Sequence, residues 1–236
     1  MRSVLSLLQF ATVLPLGKMQ DLERFARRSY LYPVAGYVIG LIAAIPVYFI
    51  ADRTVAVAVA IAIVIVLSGA HHFDGLLDFG DGLMAHGDKE KRIHALTDRQ
   101  VGAGGIAAGL VTTLLLFAGL QASASIASAI IIGEVCAKFS MAFLTAYGTP
   151  FREGMHSYLH QYAHPYFPFI SILLCIPLIL LPVRTEALVI AGIFMILCPL
   201  ILLSVSKKIF GGVNGDVVGA SNEITRAVVI IAMVLV

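Results

Sequence analysis

Six stretches of this chain, at roughly 30–51, 54–73, 101–120, 122–147, 165–183 and 187–206, are nearly unbroken runs of apolar residues. A helix rising about 1.5 Å per residue needs about 20 residues to cross a hydrocarbon core of about 30 Å, and each run is long enough. Within that core no water can satisfy backbone N–H and C=O groups, so only helices and closed barrels cross it. Barrel strands alternate polar and apolar residues, and these runs do not. The chain is therefore expected to be all-α, a polytopic transmembrane helix bundle with six firm spans. Composition agrees, since 59% of the 236 residues are hydrophobic and 13% charged. A soluble domain of this size would lack the polar residues to cover itself.

The two ends read differently. The opening "MRSVLSLLQFATVLPLG" has one positive charge and a short apolar stretch, but no convincing small-x-small cleavage site. It is expected to be an N-terminal amphipathic helix, lying at the membrane surface or tucked into the bundle. The closing run, Ile224–Val236, is too short for a full span and reads as a short C-terminal apolar helix. No compelling repeat or low-complexity linker divides residues 1–236, so they are taken as one integral-membrane domain. Net charge is +2, too small to imply a nucleic-acid partner. Cys136, Cys175 and Cys198 lie inside apolar runs without metal-like spacing and read as small hydrophobes.

Basic residues orient the spans. Arg2, Lys18, Arg24, Arg27 and Arg28 precede the first; Lys89, Lys91, Arg92 and Arg99 follow the second. Arg152 follows the fourth, and Lys207 and Lys208 follow the sixth. The opposite connections hold Arg53 and Arg184, giving twelve against two, with Lys138 and Arg226 inside helices completing the sixteen. The N-terminus and the long polar loops are accordingly expected on the cytoplasmic side of the cell (inner) membrane. Function should reside in residues 71–100, 148–164 and 207–226.

At that rim stands "HHFDGLLDFGDGL", residues 71–83. Asp74, Asp78 and Asp81 are spaced i, i+4, i+7 and share one helical face. Like charges so close repel unless something positive lies among them, and hard oxygen ligands suit Mg²⁺ or Mn²⁺ completed by water and substrate phosphate. The bland alternative is a solvated helix end. Gly75, Gly80 and Gly82 weigh against it, because each costs a helix about 1 kcal/mol and each admits a ligand close to the backbone. Zinc on His71, His72 and Asp74 is the weaker metal reading, since adjacent histidines point to different faces.

Downstream, "DKEKRIHALTDRQVGAGG" supplies Lys89, Lys91, Arg92 and Arg99 and then opens a span at Gly102–Gly105. A glycine-rich helix N-terminus favours phosphate, although small residues serve helix packing in membranes equally well. With a metal beside it, the pattern suggests phosphoryl-transfer chemistry. Glu134 and Lys138, i and i+4 within a span, would each cost at least about 2.5–3.5 kcal/mol to expose to lipid. They are read either as an ion pair holding the bundle together or as the lining of a polar cavity. The later loops add Arg152 and Glu153 in "TPFREGMHSY", and Asn214, Asp216, Asn222 and Glu223 in "GGVNGDVVGASNE". The second could be an anion- or metal-binding turn or a plain connector.

"HFDGLLDFGDGL" resembles the "HLDGLADTADGL" signature of the cobalamin synthase family, the adenosylcobinamide-GDP ribazoletransferases. "YPVAGYVIG" (32–40), "DRQVGAGG" (98–105) and "GGVNGDVVGASNE" (211–223) continue the likeness in order, so it covers nearly the whole chain. The resemblance implies a Mg²⁺-dependent transferase of substituted phosphate groups. A ribose hydroxyl of α-ribazole, or of its 5′-phosphate, attacks the corrinoid-side phosphorus of adenosylcobinamide-GDP and displaces GMP. It carries over Asp74, Asp78 and Asp81 as metal-binding and catalytic carboxylates. Arg92, Asp98, Arg99, Gly102, Glu134, Lys138, Asn214, Asp216 and Glu223 become candidates for substrate binding. The chain departs from the family where a basic-Asp-Ser-Arg stretch becomes "TDRQ", and where Lys138 stands near a usual arginine. Beyond corrinoid nucleotide, α-ribazole and membrane lipid, no partner is indicated, and self-association is left open.

Two rivals belong to other classes. A CDP-alcohol phosphotransferase would need an Ala-Arg after its Asp-Gly at an offset where this chain has none. A cation-coupled transporter would place its key carboxylates near the bilayer midplane at broken helices, whereas here the acidic cluster sits at one rim.

Overall fold

The computed structural model describes residues 2–236 and builds them from twelve α-helices. An N-terminal helix α1 (Arg2–Ala11) and a single turn α2 (Glu23–Ala26) precede α3 (Tyr32–Ala44). Short 3₁₀ turns at Ser29–Leu31 and Ile45–Tyr48 extend α3 into one apolar span of 20 residues. Next come α4 (Arg53–Leu67), α5 (His71–Met84), α6 (Lys89–Leu96), α7 (Ala103–Ala122) and α8 (Ile126–Tyr147). The chain closes with α9 (Met155–His160), α10 (Phe167–Cys175) and its 3₁₀ extension to Leu180, α11 (Thr185–Phe210) and α12 (Gly215–Val234). Among the described residues there is no strand beyond an isolated bridge between Pro150 and Val213.

Ser29–Tyr48, α7, α8, α11 and α12 are each long and apolar enough to cross a membrane. The pair α4 and α5 passes the same test only as one segment bent by 90°, and Phe167–Leu180 is shorter. The all-helical bundle of the sequence reading therefore stands, with one correction at its C-terminal end. The expected short helix from Ile224 is a 20-residue span that begins at Gly215. Its stretch up to Arg226 carries Asn222, Glu223 and Arg226, which depress local hydropathy, yet all three are buried.

Burial explains how such a helix is tolerated. The central element is α8, whose residues from Ile126 to Thr145 are all buried. Protein surrounds it instead of lipid, so its charged residues meet partners. Glycines let the neighbours approach: a Cβ at Gly36 would stand 2.7 Å from the carbonyl oxygen of Glu134, and one at Gly133 2.6 Å from Ile230. In a bilayer, where tails are as apolar as leucine, such close backbone contact is what holds helices together.

The connections sort to two ends. At one end Arg53 donates to the carbonyls of Gln121 (3.0 Å), Leu120 (3.1 Å) and Ser123, and Arg184 donates to the carbonyl of Val236 at 3.0 Å. At the other end Val13 N–H donates to Leu67 C=O (2.8 Å), Ser6 Oγ to Asp21 C=O (2.9 Å) and Val213 N–H to Thr149 C=O (2.9 Å). Every long polar segment of the sequence gathers at this second end.

Candidate active site

Residues 68–70 create the site by turning the chain. Gly69 (φ +63°) and Ala70 (φ +57°) are both left-handed, and together they produce the 90° bend between α4 and α5. Glycine adopts that conformation freely, whereas alanine loses about 1–2 kcal/mol in it. The bend sends α5 across the loop end, over the first turns of α12 and α7. A Cβ on Gly75 would lie 2.8 Å from the backbone oxygen of Asp216, and one on Gly80 2.8 Å from that of Gly104. The signature glycines thus admit neighbouring helices to the α5 backbone, where the sequence reading had a ligand approach. Gly82 does the same against Leu96 and Phe210 of α6 and α11.

This packing decides which carboxylates meet. Asp74 is exposed, Asp78 is half-buried, and the charge of Asp78 is opposed by those of Asp216, Asp74 and Asp81. Asp216, on the first turn of α12, also feels Asp74 and the cation Arg152. Asn214 caps α12 by accepting from Val217 N–H (3.1 Å) and donates its Nδ2–H to Asp216 Oδ2 at 2.6 Å, which sets the rotamer of that acid. Asp81 is committed elsewhere. Its two oxygens accept from Gly102 N–H (2.7 Å) and Gly105 N–H (2.8 Å), so it caps α7. The α7 N-terminus, a candidate phosphate site in the sequence, spends these free N–H groups on a protein carboxylate.

Among the described residues no three His, Cys, Asp or Glu side chains converge into a ready-made metal cage. What the site offers is hard oxygen donors on Asp74, Asp78 and Asp216, near enough for their charges to oppose one another, with no thiolate near. That donor set fits a small dication that retains water and is completed by substrate phosphate, since Mg²⁺ is commonly held by one or two carboxylates. It does not fit a structural zinc, which takes four converging ligands.

Asp74 and Asp216 line a cavity of about 550 Å³ enclosed by α1, the 19–22 segment, the α4–α5 bend, α8, α9 and α12. His72 and His156 line it too, both buried. His156 Nε2–H bonds to the carbonyl of Gly148 at 2.8 Å, and burial pushes the imidazole down to about 4, so the ring is neutral at pH 7. A smaller hollow of about 290 Å³ lies beside Asp81, Asp98 and Gly102.

The other candidates fall outside the cavity. Glu134, Lys138, Glu223 and Arg226 form a closed cluster between α8 and α12, with Asn222 at its centre. Lys138 Nζ donates to Asn222 Oδ1 (2.7 Å) and lies 3.6 Å from Glu134 Oε2. Arg226 bridges Glu134, at 2.7 Å from Nε, and Glu223, while Asn222 Nδ2 donates to Glu223 Oε1 at 2.9 Å. Two acids balance two bases, and none of the four lines the cavity. Of the two readings for Glu134 and Lys138, the geometry is that of the ion pair holding the bundle. Arg92 Nη1 donates to Leu83 C=O (2.8 Å) and pins α6 to α5. Asp98 accepts from Gln100 N–H (3.1 Å) within an exposed turn that also holds Arg99. His156 has no motif to mark it in the sequence; its one signal is that of a histidine within the polar loop "TPFREGMHSY".

The chain is thus a polytopic helical membrane protein with an acidic cavity at one end of its bundle. Its sequence from residue 3 to 234 matches the profile of the family described as Cobalamin-5-phosphate synthase, and the chain belongs to that family. A relative from Archaeoglobus fulgidus is 35% identical over 99% of this chain and 97% of its own length. Others from Methanocella arvoryzae (33%; 92% and 89%) and Methanococcoides burtonii (30%; 95% and 88%) are similar to a like extent. All three are named adenosylcobinamide-GDP ribazoletransferase. No solved structure matches the chain.

Proposed function

We propose that this protein joins adenosylcobinamide-GDP to α-ribazole or its 5′-phosphate and releases GMP, with Mg²⁺ as cofactor. The observation that carries this reading is the meeting of Asp74 and Asp216 at one cavity. They are 142 positions apart in the sequence, and both stand on segments that resemble family motifs. The polar end belongs in the cytoplasm of the cell membrane, because twelve of the sixteen basic residues gather there.

The residues divide the work as follows. Asp74 orients the ribose hydroxyl and takes its proton as the oxygen attacks the corrinoid-side phosphorus. A new P–O bond forms, the bond from that phosphorus to the bridging oxygen breaks, and GMP leaves with the oxygen. Asp78 and Asp216, together with Asp74, would hold the dication, which supplies neutralisation of the diphosphate charge. Asn214 keeps Asp216 aimed, and Arg152 adds a positive charge beside it. Asp81 contributes by anchoring α7 against α5. Lys138, enclosed in its neutral cluster, has no path to phosphate.

The test is incubation of the purified protein with adenosylcobinamide-GDP and α-ribazole, following GMP. Release that stops with EDTA and returns with Mg²⁺ is expected. Competent protein that releases no GMP here, but turns over a CDP-alcohol, would overturn the reading.

A further inference from the structure

The 550 Å³ cavity holds more polar groups than the reaction uses. His72 Nδ1 and His156 Nδ1 are buried and have no hydrogen-bond partner, buried Thr145 Oγ1 has none beyond the Tyr32 hydroxyl, and all three residues line this one space. Leaving a buried polar atom unpaired is costly, so their gathering at one cavity points to a ligand that satisfies them. His156 reveals what kind of ligand. Its Nε2–H is engaged by Gly148 C=O, so in the neutral ring Nδ1 carries a lone pair and must accept. The ligand therefore brings a donor such as a hydroxyl. The lining contains no Lys or Arg, while Phe10, Leu22, Met141, Met155 and Leu159 give it apolar sides. That combination suits an uncharged, flat, hydroxylated molecule. A cavity of this size takes a nucleoside-sized ligand; a corrin macrocycle with its side chains exceeds it.

We infer that this cavity is the subsite for the acceptor nucleoside, and that His156 is a positioning residue whose Nδ1 accepts a hydrogen bond from a sugar hydroxyl of α-ribazole. The aromatic base lies against the methionines and Phe10, and the attacking hydroxyl is thereby presented to Asp74 at the cavity wall. The corrinoid nucleotide approaches from outside, past Asp216 and Arg152. This inference rests on the function proposed above.

The experiment compares wild type with His156→Gln and Thr145→Val in steady-state GMP release, varying each substrate in turn, alongside equilibrium dialysis of α-ribazole alone. Glutamine can keep the N–H donated to Gly148 while removing the acceptor at the Nδ1 position. Both variants should raise the KM for α-ribazole about tenfold, as loss of one hydrogen bond does. The kcat at saturation and the KM for adenosylcobinamide-GDP should stay within twofold, and dialysis should show the same loss of α-ribazole affinity. An unchanged KM for α-ribazole in either folded variant, or an equal rise for both substrates, would overturn the subsite. Wild-type protein that binds α-ribazole but releases no GMP would instead sink the proposed reaction and leave the dialysis comparison to judge the site.

Discussion

Three aspartates on one helical face look equivalent in sequence, but their surroundings separate them. Asp81 has both oxygens occupied by N–H groups of the α7 N-terminus, an arrangement worth about 1–2 kcal/mol as a cap. Asp81→Asn should therefore lower the thermal midpoint of the purified protein by several degrees, with turnover of the folded fraction reduced far less than by Asp74→Asn. The buried quartet makes a second residue-scale prediction. Replacing Arg226 by methionine leaves the buried acids Glu134 and Glu223 with a single cation, Lys138, and removing one partner of a buried pair costs about 3–5 kcal/mol. Arg226→Met should fail to accumulate in membranes, and the further change Glu223→Gln, which leaves Glu134 balanced by Lys138, should restore much of the yield, which quantitative blotting of membrane fractions would show. Equal yield from Arg226→Met and wild type would contradict the network.

At the scale of elements, the sequence displayed the apolar runs and the acidic face because both signals are local. The periodicity of Asp74, Asp78 and Asp81 needs no partner to be seen. What stayed hidden depends on contacts between distant segments. Asp216 reaches the Asp74 site only because Gly75 lets α5 lie on α12. The stretch from Gly215 to Arg226 looked like a loop because the partners of its buried polar residues, Glu134 for Arg226 and Lys138 for Asn222, stand on α8, far back in the sequence. The glycines were legible as special, but their use in helix packing was not, since a ligand and a neighbouring backbone make the same demand for space. Gly75→Ala measures that use. Its methyl group would stand 2.8 Å from the Asp216 carbonyl oxygen, closer than Cβ atoms come to backbone, so the α5–α12 contact must open. Turnover should drop by about tenfold or more, while Gly192→Ala, which meets nothing within 4 Å, should leave GMP release unchanged.

The whole molecule has two unlike ends, and its stability should sense pH through the polar one. His156 has an ordinary imidazole value of 6.5 when unfolded and about 4 when folded, because burial disfavours its cation. A depressed folded value means the unfolded chain binds the extra proton. The contribution is thus complete above about pH 6.5 and is lost as pH falls toward 4, by about 2 kcal/mol between pH 7 and pH 5. Thermal midpoints in detergent should decline over that window, and His156→Gln should flatten the decline. Topology is checked separately. An impermeant maleimide should label Asp88→Cys only from the cytoplasmic face and Gln121→Cys only from the other, against a background in which Cys136, Cys175 and Cys198 are buried.

Two acids, Asp74 and Asp216, brought together from opposite halves of the chain, carry the proposed transfer. GMP release by folded Asp74→Asn and Asp216→Asn proteins, under saturating substrates and Mg²⁺, measures this most directly. A loss of at least about a hundredfold in each, at unchanged thermal midpoint, is predicted. Release at the wild-type rate from either folded variant would contradict it.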